Sequence, residues 1–112
     1  MKNTKRFTLF FAAILASNAA VAQLPDDAVW IDVRSTEEHA RSHLEDATLI
    51  PHDDIEDGVA ALELDSDTPI YLYCRSGGRA GVAKERLEAL GFTNVTNVGG
   101  LEAARQLAAE AP

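Results

Sequence analysis

Four short apolar runs alternate with helical patterns along most of this chain, and that alternation constrains the fold more than any other feature. The predicted strands lie at 29–31, 48–50, 70–73 and 95–98, and a helical pattern follows each of them. Strands that are separated by helices pair through right-handed crossovers, so they form a mostly parallel sheet with helices on both faces. The predicted fold class is therefore α/β, with four to five strands.

Local signals mark the ends of these helices. Ser35 or Thr36 can cap the first helix, and Gly91 supplies a left-handed stop after the third. The adjacent residues Gly99 and Gly100 predict a tight turn before the last helix at 101–109. Because no repeat or linker divides the rest of the chain, we expect a single domain there.

The first 22 residues have the organisation of an export signal. Three basic residues at positions 2, 5 and 6 precede an apolar stretch at 7–16, and the small-x-small sequence at 20–22 suits a signal peptidase. The apolar stretch is shorter than the roughly 20 residues that span a bilayer. We predict cleavage after Ala22 and a domain at 23–112, with an uncleaved anchor as the alternative.

The net charge argues against two classes of partner. The chain carries 10 basic and 18 acidic residues, a net charge of −8, and loss of the three basic leader residues would change it to −11. So acidic a domain is not expected to bind nucleic acid or an anionic membrane surface. We therefore expect the protein to bind neither nucleic acid nor a membrane once the signal has been removed.

Cys74 is the only cysteine, so no internal disulfide is possible. It directly follows the predicted strand at 70–73 and precedes a loop with two arginines and two glycines. The plain alternative is a buried, inert cysteine that fills a gap in the core. A reactive thiol should be reachable from solvent, so a fully enclosed sulfur would count against the reactive interpretation.

The loop from Cys74 to Arg79 can form an anion cradle. In open α/β sheets, ligands bind where a strand end meets a helix N-terminus, and Cys74 occupies that position. Successive N–H groups of the loop can curl inward, with Gly77 and Gly78 permitting positive φ angles. Together with the helix dipole, such amides should lower the pKa of the thiol below its free value of about 8.5.

Three segments together resemble the rhodanese-like sulfurtransferases. The loop at 73–79 is similar to that family's active-site loop, and the segment at 97–101 to its downstream strand and turn. An upstream signature is carried by Asp32, Val33, Arg34, Glu38, His43, Ala47 and Pro51. With its export signal and single short domain, the chain most resembles the small periplasmic thiosulfate sulfurtransferases of the phage-shock type.

The sequence departs from the family's pattern at four positions. The family usually has an aromatic residue at His39 and glycines at Ser42 and Asp46, which puts the geometry of the upstream loop in question. It often has a serine or threonine at Ala80, where a hydroxyl could hold the loop or a substrate oxygen. The leading strand and helix of longer members are also not expected here.

The resemblance implies a three-layer fold and catalysis through a persulfide on Cys74. A small anionic donor such as thiosulfate would supply the sulfur, and cyanide, a small thiol or a protein thiol would accept it. No cofactor or metal is implied, and the location would be the periplasm. The implied substrate-binding residues are Arg75, Ser76, Gly77, Gly78 and Arg79.

Other functions of the same thiol remain open. A redox-sensing module could use it to form mixed disulfides with a partner protein. A phosphatase or arsenate reductase typically has five residues between its cysteine and arginine, whereas four separate Cys74 from Arg79 here. The loop is therefore expected to be too tight for phosphate.

The remaining polar candidates have structural interpretations. Asp32, Arg34 and Glu38 could be catalytic, but a salt-bridged brace beneath the loop is the preferred interpretation. The three histidines, at 39, 43 and 52, do not have the spacing of a recognisable zinc site.

Overall fold

The computed structural model describes residues 24–110, and the predicted export signal lies outside them. Its elements confirm the predicted alternation of strands and helices. In chain order they are β1 (Val29–Asp32), α1 (Thr36–Arg41), β2 (Thr48–Leu49), a 3₁₀ turn (His52–Asp54), α2 (Ile55–Leu62), β3 (Ile70–Cys74), α3 (Gly78–Ala89), β4 (Val95–Gly100) and α4 (Leu101–Ala109). None of the described helices is both long and apolar enough to cross a membrane.

The four strands form one parallel sheet in the order β2-β1-β3-β4. Asp32 at the end of β1 pairs with Tyr73, and Cys74 at the end of β3 pairs with Gly100. Because all strands run in the same direction, their carboxyl ends lie at one edge of the sheet. This edge brings residues from distant parts of the sequence together.

The sheet separates two apolar layers, because successive strand residues point to opposite faces. Ile31 and Leu72 face one layer, in which α2 and α3 cover the sheet. Trp30 and Tyr73 face the other, in which Ala104 of α4 is buried against them. The α/β class and the helices on both faces are thus confirmed.

The carboxyl end of β4 differs from the prediction. Gly99 and Gly100, expected to form a tight turn, are instead the last two residues of the strand. The pairing with β3 shifts between Leu72 and Tyr73, so that Asn97 and Gly99 face consecutive residues and Val98 is the extra one. Gly99 accommodates this bulge with a φ of 105°. The strand therefore reaches as far as the cysteine.

Candidate active site

Cys74 is the last residue of β3, and three loop residues separate it from α3. The continuous apolar run of β3 buries the strand on both faces and so fixes the position of the sulfur. Cys74 is only 1% exposed, whereas Arg75, Ser76 and Gly78 around it are exposed. The thiol is more enclosed than the sequence led us to expect, and this low exposure counts against the reactive interpretation.

Backbone N–H groups converge on this sulfur. Gly77 N–H donates a hydrogen bond to Cys74 Sγ at 2.9 Å. Burial raises the pKa of the thiol, but hydrogen bonds from the N–H groups of Ala80, Gly77, Ser76 and Arg79 together lower that pKa below its ordinary value. A cysteine that only fills the core has no need of such donors, so the arrangement favours a thiolate.

Gly77 gives the loop its curvature. Its φ of 106° and ψ of −13° lie in the left-handed region, which favours glycine. Gly78 was expected to need similar freedom, but among the described glycines only Gly77, Gly91 and Gly99 have positive φ. A Cβ on Gly78 would meet no atom within 4 Å. Gly78 therefore leaves open space at the mouth of the loop and is not required by the backbone.

The two arginines of the loop differ in their surroundings. Arg79 forms a two-pronged ion pair with Glu38 of α1, with Nη1–Oε1 2.7 Å and Nη2–Oε2 3.0 Å. Arg75 is exposed, and its side chain makes no hydrogen bond or ion pair with the described residues. Arg79 thus fastens the loop to α1, and each of its two bonded nitrogens keeps a second hydrogen for another acceptor.

Glu38 also completes the N-terminal cap of α1. Ser35 is the capping residue: its hydroxyl accepts from Glu38 N–H, and the Glu38 carboxylate accepts from Ser35 N–H. The hydrogen bonds from Arg79 and Ser35 hold the pKa of Glu38 far below its usual value. One carboxylate therefore joins the helix start to the cysteine loop.

Beneath the loop, the Asp32 carboxylate is the centre of a buried network. It accepts hydrogen bonds from Arg34 Nε and Nη2 at 2.9 and 2.8 Å and from Tyr73 OH at 3.1 Å, and it lies 2.9 Å from His39 Nδ1. Burial raises the pKa of Asp32, but the bonds from Arg34 and His39 lower it overall. The predicted interpretation of these residues as a brace fits this geometry.

Three of the residues that depart from the expected motif pattern can be described by their contacts. His39 supplies the contact with Asp32 just described, and its ring stacks on His43 with centroids 3.7 Å apart. The Ser42 carbonyl accepts from Arg34 Nη2 at 2.7 Å. Ala80 has no hydroxyl to offer, but its backbone N–H acts on the sulfur. Within residues 24–110, no group of three or more His, Cys, Asp or Glu residues could hold a metal ion.

Two residues of β4 belong to the site but were not singled out from the sequence. Asn97 donates from Nδ2 to the Gly77 carbonyl at 2.9 Å. Gly100 lies so close to the loop that a Cβ would be 2.6 Å from the Arg75 carbonyl oxygen. In the sequence, both residues belong to the motif at 97–101, which indicates a strand and a turn. The motif does not indicate contacts with a loop some 20 residues earlier in the chain.

Comparison with known proteins agrees with this geometry. The Rhodanese-like domain family matches residues 17–106, which is most of the chain. The chain belongs to the rhodanese-like family. A solved structure described as a rhodanese with anions from E. coli has the same fold, with a TM-score of 0.65 and 36% identity, over 68% of this chain and 89% of that one.

Two curated relatives bear on the activity of this rhodanese-like chain. Thiosulfate sulfurtransferase PspE of Escherichia coli is 37% identical over 79% of this chain and 86% of its own length. The putative sulfur carrier protein YrkF of Bacillus subtilis is 35% identical over 61% of this chain and 36% of its own length. The family and the first relative support sulfur transfer as the class of activity.

Proposed function

We propose that this protein is a thiosulfate sulfurtransferase that carries sulfur as a persulfide on Cys74. The single observation that carries the proposal is the hydrogen bond from Gly77 N–H to Sγ at 2.9 Å, and the backbone N–H groups of Ala80, Ser76 and Arg79 add to it by lowering the pKa of the thiol. These donors stabilise a negative charge on sulfur, and the Arg79 guanidinium adds a favourable Coulomb interaction while it stays bonded to Glu38. The resemblance to PspE gives the donor, thiosulfate.

The proposed reaction has two displacement steps. The Cys74 thiolate attacks the terminal sulfur of thiosulfate; the sulfur–sulfur bond of the donor breaks, and sulfite leaves with the electron pair. The product is Cys74–S–S⁻, whose charge the same N–H groups can stabilise. An acceptor thiolate or cyanide then attacks the outer sulfur, and the Cys74 thiolate leaves. No external oxidant or reductant is needed.

Access to the sulfur favours a small donor. Because Cys74 is only 1% exposed, the donor has to bring an unhindered terminal sulfur into the ring of N–H groups. Thiosulfate has such a sulfur, and its sulfonate end would remain at the exposed mouth of the loop. There Arg75 can bind it through guanidinium hydrogen bonds, while Arg79 contributes only the hydrogens that Glu38 does not use. Ser76, Gly77 and Gly78 complete the proposed binding loop.

We also propose that the chain is exported. The proposed signal at 1–22 would be removed and a single domain at 23–112 would act in the periplasm. There a small thiol or a protein thiol would be the acceptor.

The proposal is tested by measuring the intact mass of the protein after incubation with thiosulfate. We expect a gain of one sulfur atom, reversed by a dithiol, with release of an equal amount of sulfite. Because Cys74 is the only cysteine, the gain is assigned to it directly. The Cys74→Ser variant should fold normally and show neither gain nor transfer. No gain at any donor concentration, or transfer by the serine variant, would contradict the proposal.

A second candidate is a redox module whose thiol forms mixed disulfides with a partner protein. The low exposure of Cys74 counts against this candidate, because a partner protein is bulkier than thiosulfate and has to reach the same enclosed sulfur. This candidate predicts a partner adduct, but no sulfur gain with thiosulfate or mercaptopyruvate. Hydrolysis of p-nitrophenyl phosphate at a rate similar to sulfur transfer would instead favour phosphate chemistry.

A further inference from the structure

The side chain of Asn97 links β4 to the cysteine loop through hydrogen bonds. Its Nδ2 donates to the Gly77 carbonyl at 2.9 Å, and its Oδ1 accepts from Gly99 N–H at 3.0 Å. A flipped amide would place two acceptors together at Gly77 and two donors together at Gly99. The two partners therefore fix the orientation of the Asn97 amide.

The carbonyl that Asn97 holds belongs to the residue that donates to the sulfur. The Gly77 carbonyl accepts a second hydrogen bond, from Gly81 N–H of α3 at 2.8 Å. Gly77 has a φ of 106° and is the most flexible type of residue. Two bonds on its carbonyl, one from the helix and one from Asn97, restrict its rotation and so keep its N–H directed at Cys74 Sγ.

The bulge in β4 supplies the N–H group that orients the side chain of Asn97. Asn97 pairs with Leu72 and Gly99 pairs with Tyr73, so one extra residue, Val98, lies between them. The Gly99 N–H, turned by a φ of 105°, is the donor that holds Asn97 Oδ1. Bulges often redirect a side chain next to an active site, and β4 is an edge strand. The irregularity thus acts on the cysteine through one amide.

We propose that Asn97 is a positioning residue for the Cys74 thiolate and its persulfide. It does not touch the sulfur; it holds Gly77 so that the ring of N–H groups is formed before the donor arrives. The expected effect of Asn97 on sulfur transfer rests on the proposed function. Its effect on the ionisation of the thiol can be measured without any sulfur donor.

The first test is the pH titration of the Cys74 thiol in the Asn97→Ala variant, followed by thiolate absorbance and by the rate of alkylation. Loss of one restraining hydrogen bond should raise the titration midpoint by about 0.5–1 pH unit. At pH values below the midpoint, alkylation and persulfide formation should both be about three- to tenfold slower in the variant than in the parent protein. The matched control is Thr96→Ala, whose exposed side chain makes no hydrogen bond to residues 24–110; its titration should equal that of the parent protein.

A purely structural role would give a different result. If Asn97→Ala lowered the melting temperature while the midpoint and the persulfide rate stayed unchanged, the proposal would be wrong. Should the alanine variant fail to fold, Asn97→Asp is the second variant: it keeps the acceptor for Gly99 N–H but replaces the donor to Gly77 with an oxygen. Measured in high salt to screen the added charge, its midpoint should still rise, and an unchanged midpoint overturns the proposal.

The two proposals fail in different ways. A raised midpoint in Asn97→Ala with no persulfide in the parent protein would remove the sulfurtransferase function but leave Asn97 as a positioning residue. If the parent protein forms the persulfide but Asn97→Ala has the same titration midpoint and the same persulfide rate, the sulfurtransferase function stands. Asn97 is then not a positioning residue.

Discussion

An aspartate and a cysteine lie at the same edge of the sheet, and their surroundings lower the pKa of each in a different way. The Asp32 carboxylate, at the end of β1, is contacted by the side chains of Arg34, His39 and Tyr73. The Cys74 sulfur, at the end of β3, accepts from backbone N–H groups. The first arrangement pairs the carboxylate directly with the guanidinium of Arg34, whereas the second rests on backbone dipoles, with the Arg79 guanidinium bonded to Glu38 and acting on the sulfur only through space.

Under the proposed function, this difference separates a structural anion from a reactive one. An ion pair neutralises the carboxylate and occupies its oxygens, so the group braces the fold and has little capacity left for chemistry. Amide dipoles lower the pKa of a thiol without a direct ion pair at the sulfur, so its charge stays available to an incoming sulfur. The predictions below test whether the first site governs stability and the second governs sulfur transfer.

The largest effect is expected from Asp32→Ala. Removing the carboxylate leaves the Arg34 guanidinium, whose side chain is 8% exposed, buried without its partner. The free energy of unfolding should fall by about 3–5 kcal/mol. Denaturant titration measures the loss, with the exposed Asp57→Ala on α2 as the control. A loss in Asp32→Ala no larger than that in the control would remove the brace from the account.

Gly100→Ala should affect transfer more than stability. The added Cβ would be 2.6 Å from the Arg75 carbonyl oxygen, so the loop has to move away from β4. A displacement near 1 Å at a reacting group can lower a reaction rate roughly 100-fold. We therefore expect the rate of sulfur transfer to fall by about 10- to 100-fold. Steady-state kinetics and the melting temperature are compared with the exposed Gln106→Ala on α4. Unchanged transfer in Gly100→Ala would show that the loop tolerates the shift.

Glu38→Gln should weaken the connection between α1 and the loop and make stability less sensitive to acid. The variant loses the charge that pairs with Arg79, and we expect a loss of about 1–2 kcal/mol at neutral pH. Because the folded-state pKa of Glu38 is lowered, its contribution is present above the unfolded pKa of about 4.3 and is lost as the pH falls below it.

The measurement for Glu38 is denaturant unfolding between neutral pH and pH values below about 4. The parent protein should lose more stability over that range than Glu38→Gln does. Glu37→Gln, at the exposed neighbouring position, should behave like the parent protein. If the free energy of unfolding fell equally with pH in the parent protein and in Glu38→Gln, the lowered pKa assigned to Glu38 would be contradicted.

The smallest effect is expected from Arg75→Ala. This exposed side chain should add one charged contact to the sulfonate of the donor, so the KM for thiosulfate should rise about three- to tenfold with little change in kcat or stability. The exposed Arg41→Ala on α1 is the charge-matched control. A KM that does not change would assign donor binding to other residues of the loop.

Local motifs could be predicted from the sequence, and contacts that depend on register could not. The strands, the helices and the position of Cys74 followed from apolar periodicity and from the loop that follows it. The pairing of Arg79 with Glu38 joins residues 41 positions apart, and nothing local indicates it.

The end of β4 shows why one prediction was wrong. Two successive glycines normally favour a turn, but here Gly99 makes the bulge and Gly100 permits the close approach to Arg75. Both roles arise only when β4 is paired with β3. The contact of Asn97 with Gly77 depends on the same register, so no pattern within the strand could have shown it.

The most direct test of the account is the ionisation of Cys74 in the native protein, measured by thiolate absorbance and by alkylation across pH. We predict a midpoint below the value of about 8.5 for a free thiol, and alkylation of the folded protein that follows the same curve. A midpoint at or above that value, or a thiol that reacts only after unfolding, would contradict the account.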